Sequence, residues 1–301
     1  GESPEDLLRN ADTAMYRAKT SGRGTIAFFE DSMNRDARRR LELEQRLRTA
    51  LDAGEIGVHF QPKVDLRTGR VVGAEALARW FSPSEGEVAP GLFVPIAEDT
   101  GLIVPLGTRV LEEACRHLAA WRRHGHDDLH VAVNLSLRQL RQPDFPAVVG
   151  RLVAQHSLPP GALELEVTES TLAEQPLEIT RILHELRQLG VRIAIDDFGT
   201  GYSSLASLRQ LPIDVLKIDR LFVRDVPGGT HAEAIAGAII AMGHTLGKEI
   251  VAEGVETAAQ ADFLRQRGCE MAQGYHFGRA VPPDEFARMA RPAPAPAVRR
   301  A

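Results

Sequence analysis

Short apolar segments alternate with segments of helical periodicity from Ile56 almost to the end of the 301-residue chain. Such alternation predicts an α/β protein with a largely parallel sheet. A turn around Thr68-Gly69 joins the first two apolar segments and is too short for a crossover helix, so these two strands must be antiparallel. The predicted strands are 56–64, 71–79, 130–135, 162–168, 191–196, 213–218, 249–253 and 269–273. Eight strands with helices between them predict a (β/α)8 TIM-like barrel with one antiparallel strand.

The remaining segments divide the chain around this barrel. Ser3-Pro4 caps an amphipathic helix, and 25–29 has the composition of a short strand; 1–30 has nothing of its own on which to pack. An Arg- and Glu-rich helix at 31–53 is interpreted as a connector with a solvated face. The barrel spans 54–290, and the alternating proline and alanine of 291–301 predict a disordered tail. Within the barrel, the predicted helices are 103–124, 137–155, 176–189, 203–210, 232–247 and 257–267.

Composition excludes several classes of function. Apolar residues make up 44% of the chain, enough for a real core, and the formal charge of −5 leaves no sequence-wide basic field to hold duplex nucleic acid. The two cysteines, Cys115 and Cys269, have neither metal-ligand nor disulfide-framework spacing, which predicts a reducing, cytoplasmic location. No stretch approaches about 18 uninterrupted apolar residues, so no membrane span is expected in this chain.

Polar residues end seven consecutive predicted strands. Active sites of (β/α)8 barrels lie at the C-terminal ends of the strands, so these side chains should converge on one rim. Alternation along each strand turns Asn134, Glu166, Asp196 and Lys217 toward the barrel mouth. A single such residue would be most simply a satisfied polar group or a helix cap, but seven strands together predict a site. The rim residues are Glu75, Leu77, Arg79, Asn134, Glu166, Asp196, Asp197, Lys217, Asp219, Glu253 and Gln273.

Carboxylates that converge on one rim repel one another unless cations lie among them. Oxygen ligands without His or Cys favour Mg²⁺ or Mn²⁺ over zinc. Asp196 and Asp197 can both reach metal only if the strand ends there, and the glycine-rich run that begins at Phe198-Gly199 supplies that ending. A carboxylate-bridged pair of ions suits in-line displacement at phosphorus, so the sequence predicts phosphodiester hydrolysis.

The rim residues occur in motifs that together resemble the EAL domain, the bacterial cyclic di-GMP phosphodiesterase. The resemblance covers roughly 38–290. The segment 4–29 resembles the closing helix and strand of a GGDEF diguanylate cyclase domain, without that family's glycine-glycine-acidic signature. The EAL-like motifs are Gln61-Pro62, Glu75-Ala76-Leu77-Ala78-Arg79-Trp80, Asn134-Leu135-Ser136, Glu166-Val167-Thr168-Glu169, Asp196-Asp197-Phe198-Gly199-Thr200-Gly201, Lys217-Ile218-Asp219, Glu253-Gly254-Val255-Glu256 and Gln273-Gly274-Tyr275.

The resemblance implies a role for each of these residues. One ion would be held by Glu75, Asn134, Glu166 and Asp196, and Asp196 would bridge to a second ion held with Asp197. It also implies that Lys217 polarises the nucleophilic water; the alternative for Lys217 is a structural pair with an aspartate. Glu253 would be the general base or a ligand of metal-bound water. Glu169 would anchor the loop 198–204. The residues implied in substrate binding are Gln61, Leu77, Arg79, Asp219, Glu256 and Gln273.

The implied activity is Mg²⁺- or Mn²⁺-dependent hydrolysis of cyclic di-GMP to linear 5'-pGpG, with Ca²⁺ as an inhibitor. A catalytically silent cyclic di-GMP receptor is the alternative, and it would be expected to lack a ligand, the lysine or the loop. A purely structural module would leave the acidic rim unexplained. The resemblance also implies a homodimer and an upstream GGDEF domain in a longer protein, with a possible sensory domain or membrane tether. Ala280 replaces the family's usual proline beside the guanine pocket.

Overall fold

The computed structural model describes residues 3–20, 25–173, 176–199, 208 and 211–290. Two helices, α1 (Pro4–Thr20) and α2 (Asp31–Ala53), precede the barrel. One sheet follows, with strands β1 (Ile56–Asp65), β2 (Val71–Ser82), β3 (Gly86–Val88), β4 (His130–Asn134), β5 (Leu163–Thr168), β6 (Arg192–Phe198), β7 (Val215–Ile218), β8 (Glu249–Ala252) and β9 (Met271–Gln273).

The sheet closes into a barrel because β1 pairs with both β2 and β9. Both of these pairings are antiparallel, whereas β2, β4, β5, β6, β7, β8 and β9 follow one another in parallel. Among the described strands, the short β3 pairs only with β2, so it lies outside the ring of eight. The predicted barrel with one inverted strand is therefore confirmed.

Helices cover the outside of the barrel and connect its strands. They are α3 (Pro90–Thr100), α4 (Ile103–Arg123), α5 (Leu137–Leu140), α6 (Phe145–Gln155), α7 (Glu169–Ala173), α8 (Pro176–Gln188), α9 (Arg220–Val223), α10 (Thr230–Thr245), α11 (Ala258–Gln266) and α12 (Pro283–Met289). Among the described residues, no helix combines the length and the apolar character needed to cross a membrane.

Alternation along the strands sorts the core into an outer and an inner layer. Outward side chains of the parallel strands pack with the helices in the main buried cluster, among them Val131, Val133, Leu163, Leu165, Ile193, Ile195, Leu216 and Ile218. Inward side chains form a separate small cluster of Ala194, Val215, Val251 and Met271. The predicted direction of the rim side chains rests on the same alternation, and the two clusters agree with it.

The second half of α2 packs on the barrel. Leu47 and Ala50 are buried in a cluster that includes Trp80 of β2 and Phe93 of α3. The sequence interpretation of this helix as a solvated connector therefore applies only to its other faces, where Leu41 is 66% exposed.

Two predicted elements differ from the structure, and two others lie almost entirely outside the described residues. The segment 25–29 has no regular secondary structure and pairs with no strand among the described residues. The predicted helix 137–155 is divided into α5 and α6, because Pro143 disfavours helical backbone at Gln142. The predicted helix 203–210 lies outside the described residues apart from the helical Leu208, and so does the tail 291–301.

Candidate active site

A fully buried lysine occupies the centre of the rim at the C-terminal ends of the strands. Its ammonium nitrogen, Lys217 Nζ on β7, lies 2.6 Å from Glu166 Oε2 and 2.7 Å from Glu253 Oε1. Asp196 Oδ1 is 3.0 Å away. The three carboxylates come from β5, β6 and the residue after β8, so Lys217 joins the ends of neighbouring strands.

Glu75 of β2 lies on the opposite side of the rim and is held by amide donors. Asn134 Nδ2 donates to Glu75 Oε1, and Gln273 Nε2 donates to Glu75 Oε2. Gln273 Nε2 also lies 3.0 Å from Gln61 Oε1, and Gln61 Nε2 donates to the carbonyl of Gly278. These bonds connect β1, β2, β4 and β9 across the closure of the barrel.

Asp196 and Asp197 both reach the rim because the backbone turns at the end of β6. Asp197 has a φ of 53°, and the pairing of β6 with β7 shifts register between Ile195 and Phe198. The Asp197 amide donates to Asp196 Oδ1 at 2.9 Å, which fixes the two carboxylates relative to each other. The strand was predicted to end at Asp196, whereas β6 continues to Phe198, and an irregularity within it brings both carboxylates to the rim.

The segment after β6 is attached to the site through α7. Glu169 is 3% exposed, and its Oε2 accepts a hydrogen bond from the Gly199 amide at 3.0 Å. The loop 198–204, which Glu169 is predicted to anchor, lies outside the described residues from Thr200 onward. Gly199 is therefore the residue of this loop for which the structure describes a contact to Glu169.

A second buried lysine lies one layer deeper than Lys217. Lys63 Nζ on β1 lies 2.8 Å from Glu164 Oε1 and 2.7 Å from Glu166 Oε1. Lys63 is not among the site residues predicted from the sequence. The signal was present, because Lys63 is two residues from Gln61 on a strand and must share its inward face.

Burial and mutual repulsion raise the pKa of three rim carboxyls. Burial raises the pKa of Glu253 to about 8. The nearby charge of Lys217 opposes this rise, whereas the charges of Asp196 and Glu75 add to it. Burial likewise raises the pKa of Glu166 to about 7. The pKa of Asp197 is raised to about 6 by burial and by the adjacent Asp196 charge. The carboxylates at the rim thus carry more negative charge than the nearby lysines, Lys217 and Lys63, neutralise.

The two lysines and Glu164 show the opposite balance. Burial would lower the pKa of Lys217, but the surrounding carboxylates outweigh burial and hold this pKa well above its ordinary value. Burial would raise the pKa of Glu164, yet the charges of Lys63, His130 and Arg192 lower it to about 2. Burial would also lower the pKa of Lys63, but the charges of Glu164 and Glu166 outweigh burial and raise it, so both lysines remain charged inside the barrel.

The donor set at the rim fits a hard divalent cation. Carboxylate oxygens of Asp196, Asp197 and Glu253 lie within 4.8 Å of one another, which is a spacing suited to a shared ion. Gln273 Oε1 is a buried oxygen that has no hydrogen-bond partner among the described residues. Oxygen donors that are negatively charged or unpartnered are those that Mg²⁺, Mn²⁺ and Ca²⁺ prefer.

A cavity of about 720 Å³ adjoins the rim on the side of β2, α3 and α4. Leu77, Arg79, Asn134 and Glu166 are among its lining residues, together with the apolar side chains of Val94 and Leu106. The Arg79 guanidinium contacts Glu87 Oε1 of β3 at 3.2 Å. A phosphate that bound Arg79 would therefore have to compete with the half-exposed Glu87 carboxylate.

Two predicted substrate residues have local structural partners. Asp219 Oδ1 accepts a hydrogen bond from the Leu221 amide at 2.7 Å and caps α9, and Asp219 is also a neighbour that raises the pKa of Asp197. Glu256 has an exposed side chain, and its amide donates to Gln260 Oε1. The roles predicted for these residues, and the division of the rim carboxylates between two ions, stay predictions.

The fold and the rim together define a (β/α)8-barrel protein whose acidic mouth is suited to divalent cations. The EAL domain family model matches residues 44–280, and the chain belongs to this family. The resemblance identified from the sequence motifs is therefore confirmed.

Relatives within this family include two proteins of Pseudomonas aeruginosa. The bifunctional diguanylate cyclase/cyclic di-GMP phosphodiesterase MucR is 47% identical over 286 residues, which cover 95% of this chain and 42% of MucR. The cyclic di-GMP phosphodiesterase NbdA is 43% identical over 302 residues, which cover 99% of this chain and 39% of NbdA. The chain thus spans about two fifths of the length of these curated relatives.

A solved structure of the PaMucR phosphodiesterase in complex with c-di-GMP has the same fold. Its TM-score to this chain is 0.78 at 46% sequence identity, and the match covers 81% of this chain and 99% of that one.

Proposed function

We propose that this chain hydrolyses one phosphodiester bond of cyclic di-GMP and releases linear 5'-pGpG. The observation that carries the proposal is the buried Lys217 ammonium, which joins Glu166, Asp196 and Glu253 at the mouth of the barrel. The similarity to MucR and NbdA, and to the solved PaMucR complex with c-di-GMP, supports cyclic di-GMP as the substrate.

The metal ions proposed for this reaction are Mg²⁺ or Mn²⁺, two per site, with Ca²⁺ as a competitor. Glu75, Asn134, Glu166 and Asp196 would hold one ion, and Asp196 and Asp197 would hold the other. Such ions make water more acidic and stabilise the attacking and leaving oxygens. Ca²⁺ has larger and looser coordination, so it should compete for the site without fixing the in-line geometry.

The protein groups act on the attacking water and its proton. The Lys217 ammonium donates a hydrogen bond to the water and holds it in line with the phosphorus atom, while Glu253 accepts the proton. The water oxygen forms the new bond to phosphorus, and the bond from phosphorus to the ribose 3' oxygen breaks. The 3' oxygen takes a proton from solvent and leaves as the hydroxyl group of pGpG. Gln61, Leu77 and Arg79 hold the nucleotide, with Arg79 on a phosphate in place of Glu87; Asp219, Glu256 and Gln273 complete the proposed substrate surroundings.

Separation of nucleotides after incubation tests this function against the receptor alternative. The chain is incubated with cyclic di-GMP and Mn²⁺, with a matched sample that contains excess chelator. We expect pGpG with Mn²⁺ and unchanged cyclic di-GMP with chelator. Cyclic di-GMP that binds the chain but stays intact in both samples would identify a receptor and refute the hydrolase.

The proposed assembly follows from the sequence resemblance and the length of the relatives. We propose a homodimer within a longer cytoplasmic protein that carries a GGDEF domain and a sensory domain upstream. The two buried free thiols, Cys115 and Cys269, are compatible with a reducing compartment. Light scattering of the chain over a range of concentrations, with and without cyclic di-GMP, tests the dimer.

A further inference from the structure

Lys63 is a buried charged residue to which the proposed reaction gives no part. Its side chain is 0% exposed, and its ammonium nitrogen contacts Glu164 Oε1 and Glu166 Oε1 at 2.8 and 2.7 Å. The other oxygen of Glu166 contacts Lys217 at 2.6 Å. Each oxygen of the Glu166 carboxylate is therefore held by a different ammonium group.

Packing alone does not account for a lysine at this position. Removing an ammonium group from water costs free energy that an apolar side chain of similar size would not incur. The barrel interior does hold apolar side chains where no charge is needed, since Val215, Val251 and Met271 pack together there. A charged residue at position 63 therefore has to be explained by its two carboxylate partners.

The two partners depend on Lys63 to different degrees. Glu164 Oε2 also lies 3.5 Å from the guanidinium nitrogen Nε of Arg192, on the side away from the rim. Glu164 thus retains a cation when Lys63 is removed. For Glu166 Oε1, the contact with Lys63 is the one ion pair that the described residues provide. Removal of Lys63 would therefore leave Glu166 Oε1, but not Glu164, without a cation among the described residues.

We propose that Lys63 is a positioning residue that fixes the orientation of Glu166 and, through it, the position of Lys217. This proposal rests on the proposed function, because it concerns the same rim. With Oε1 held from below, Oε2 faces Lys217, and Lys217 stays within reach of Asp196 and Glu253. Without Lys63, the Glu166 carboxylate is free to turn, and the Lys217 ammonium is drawn away from the rim toward the interior carboxylates.

The test compares Lys63→Met/Glu164→Gln with Glu164→Gln alone. The double variant removes one positive and one negative charge, so the net interior charge is that of the wild type, and Met keeps an unbranched side chain. The single variant is the matched control, because it alters the same carboxylate and leaves Lys63 on Glu166. Folding is followed by circular dichroism, Mn²⁺ affinity by calorimetry, and hydrolysis of cyclic di-GMP by kcat and KM.

We expect the double variant to fold and to bind Mn²⁺ about 10- to 100-fold more weakly than the control, as is typical when a group that orients a metal ligand is lost. Its kcat should fall by a similar factor, with KM changed less than about threefold, because the fully buried Lys63 has no exposed surface with which to contact a nucleotide. Equal Mn²⁺ affinity and kcat in the two variants would overturn the proposal. A double variant that does not fold would also overturn it, since Lys63 would then serve the fold.

The Mn²⁺ affinity measurement distinguishes failure of this proposal from failure of the proposed function. A wild-type chain that binds Mn²⁺ but does not hydrolyse cyclic di-GMP would refute the hydrolase, and the difference in Mn²⁺ affinity would still decide the role of Lys63. A wild-type chain that binds no Mn²⁺ would refute the role of Lys63 even if cyclic di-GMP is hydrolysed.

Discussion

Protons and metal ions compete for the rim carboxyls. Burial and neighbouring charge raise the pKa of Asp197 to about 6, of Glu166 to about 7 and of Glu253 to about 8. A carboxyl with a raised pKa keeps its proton to a higher pH, and a protonated carboxyl is a poor metal ligand. A divalent cation that binds near neutral pH must therefore displace protons from this group of residues.

The first prediction concerns the pH dependence of this competition. As pH rises from 6 to 8 the rim carboxyls lose their protons, so the apparent Mn²⁺ affinity should rise and the number of protons released per ion should fall. Calorimetry in two buffers with different ionisation enthalpies measures both quantities. A Mn²⁺ affinity that is the same at pH 6 and pH 8 would contradict the raised pKa values.

The second prediction separates turnover from binding at Lys217. Lys217→Met removes the ammonium group that holds the water and keeps the length of the side chain. Turnover of cyclic di-GMP should fall by about 10²- to 10⁴-fold, the range expected for loss of a group that acts on a transferred proton. Cyclic di-GMP affinity by calorimetry should change far less, and equal losses in both would instead make Lys217 a phosphate contact.

The candidate site shows what a sequence can and cannot reveal about individual residues. Asn134, Glu166 and Lys217 could be predicted to meet, because each ends a parallel strand and alternation fixes the side on which it points. Lys63 was not predicted as part of the site because β1 runs against its neighbours and places Lys63 below the rim, although its spacing of two residues from Gln61 puts both side chains on the inward face. The Arg79–Glu87 contact depends on β3, a strand of three residues with no clear periodicity.

The third prediction concerns α7 and the segment after β6. Glu169→Ala removes the acceptor of the Gly199 amide and leaves every proposed metal ligand in place. The backbone at Asp197 should lose its fixed position, so Mn²⁺ affinity and turnover should fall together by about 10- to 100-fold. The control is Glu178→Ala, which changes an exposed glutamate of α8.

Normal metal affinity and turnover in Glu169→Ala would show that the contact between Glu169 and Gly199 does not hold the metal ligands at the rim in place. Repeating both measurements at several protein concentrations also tests whether self-association supports the rim, because association should then restore part of the metal affinity and turnover lost in Glu169→Ala.

The fourth prediction tests whether α2 belongs to the barrel. Leu47→Ala creates a cavity in the cluster with Trp80 and Phe93, so it should lower the free energy of unfolding by about 2–5 kcal/mol. Leu41→Ala, on an exposed part of the same helix, should change it by less than about 0.5 kcal/mol. Urea denaturation of both variants measures the difference, and equal stabilities would make α2 a connector.

The larger elements were predictable to the extent that local patterns determined them. All eight barrel strands and the long helix α4 were expected from periodicity, with ends shifted by a few residues. The short α3 was missed because its sequence begins Pro-Gly and contains Pro95, signals of a turn or break. The break between α5 and α6 was overlooked although Pro143 marks it, because the apolar spacing continues across the proline.

Barrel closure relates the fold as a whole to its proposed chemistry. Seven parallel strands bring their C-terminal ends to one side, and the inverted β1 adds Gln61 and Lys63 to the same interior. The position of each rim charge therefore depends on strands far apart in the chain. The central claim is that this assembled rim adds water to cyclic di-GMP, and neither binding nor stability data test that step itself.

The most direct measurement is mass spectrometry of the product formed in ¹⁸O-labelled water with Mn²⁺, with Lys217→Met run in parallel. Attack by water on phosphorus places one ¹⁸O atom in the terminal phosphate of pGpG in each turnover. We expect singly labelled pGpG from the wild type and very little product from the variant. Cyclic di-GMP that remains intact, or pGpG without label in its terminal phosphate, would contradict the account.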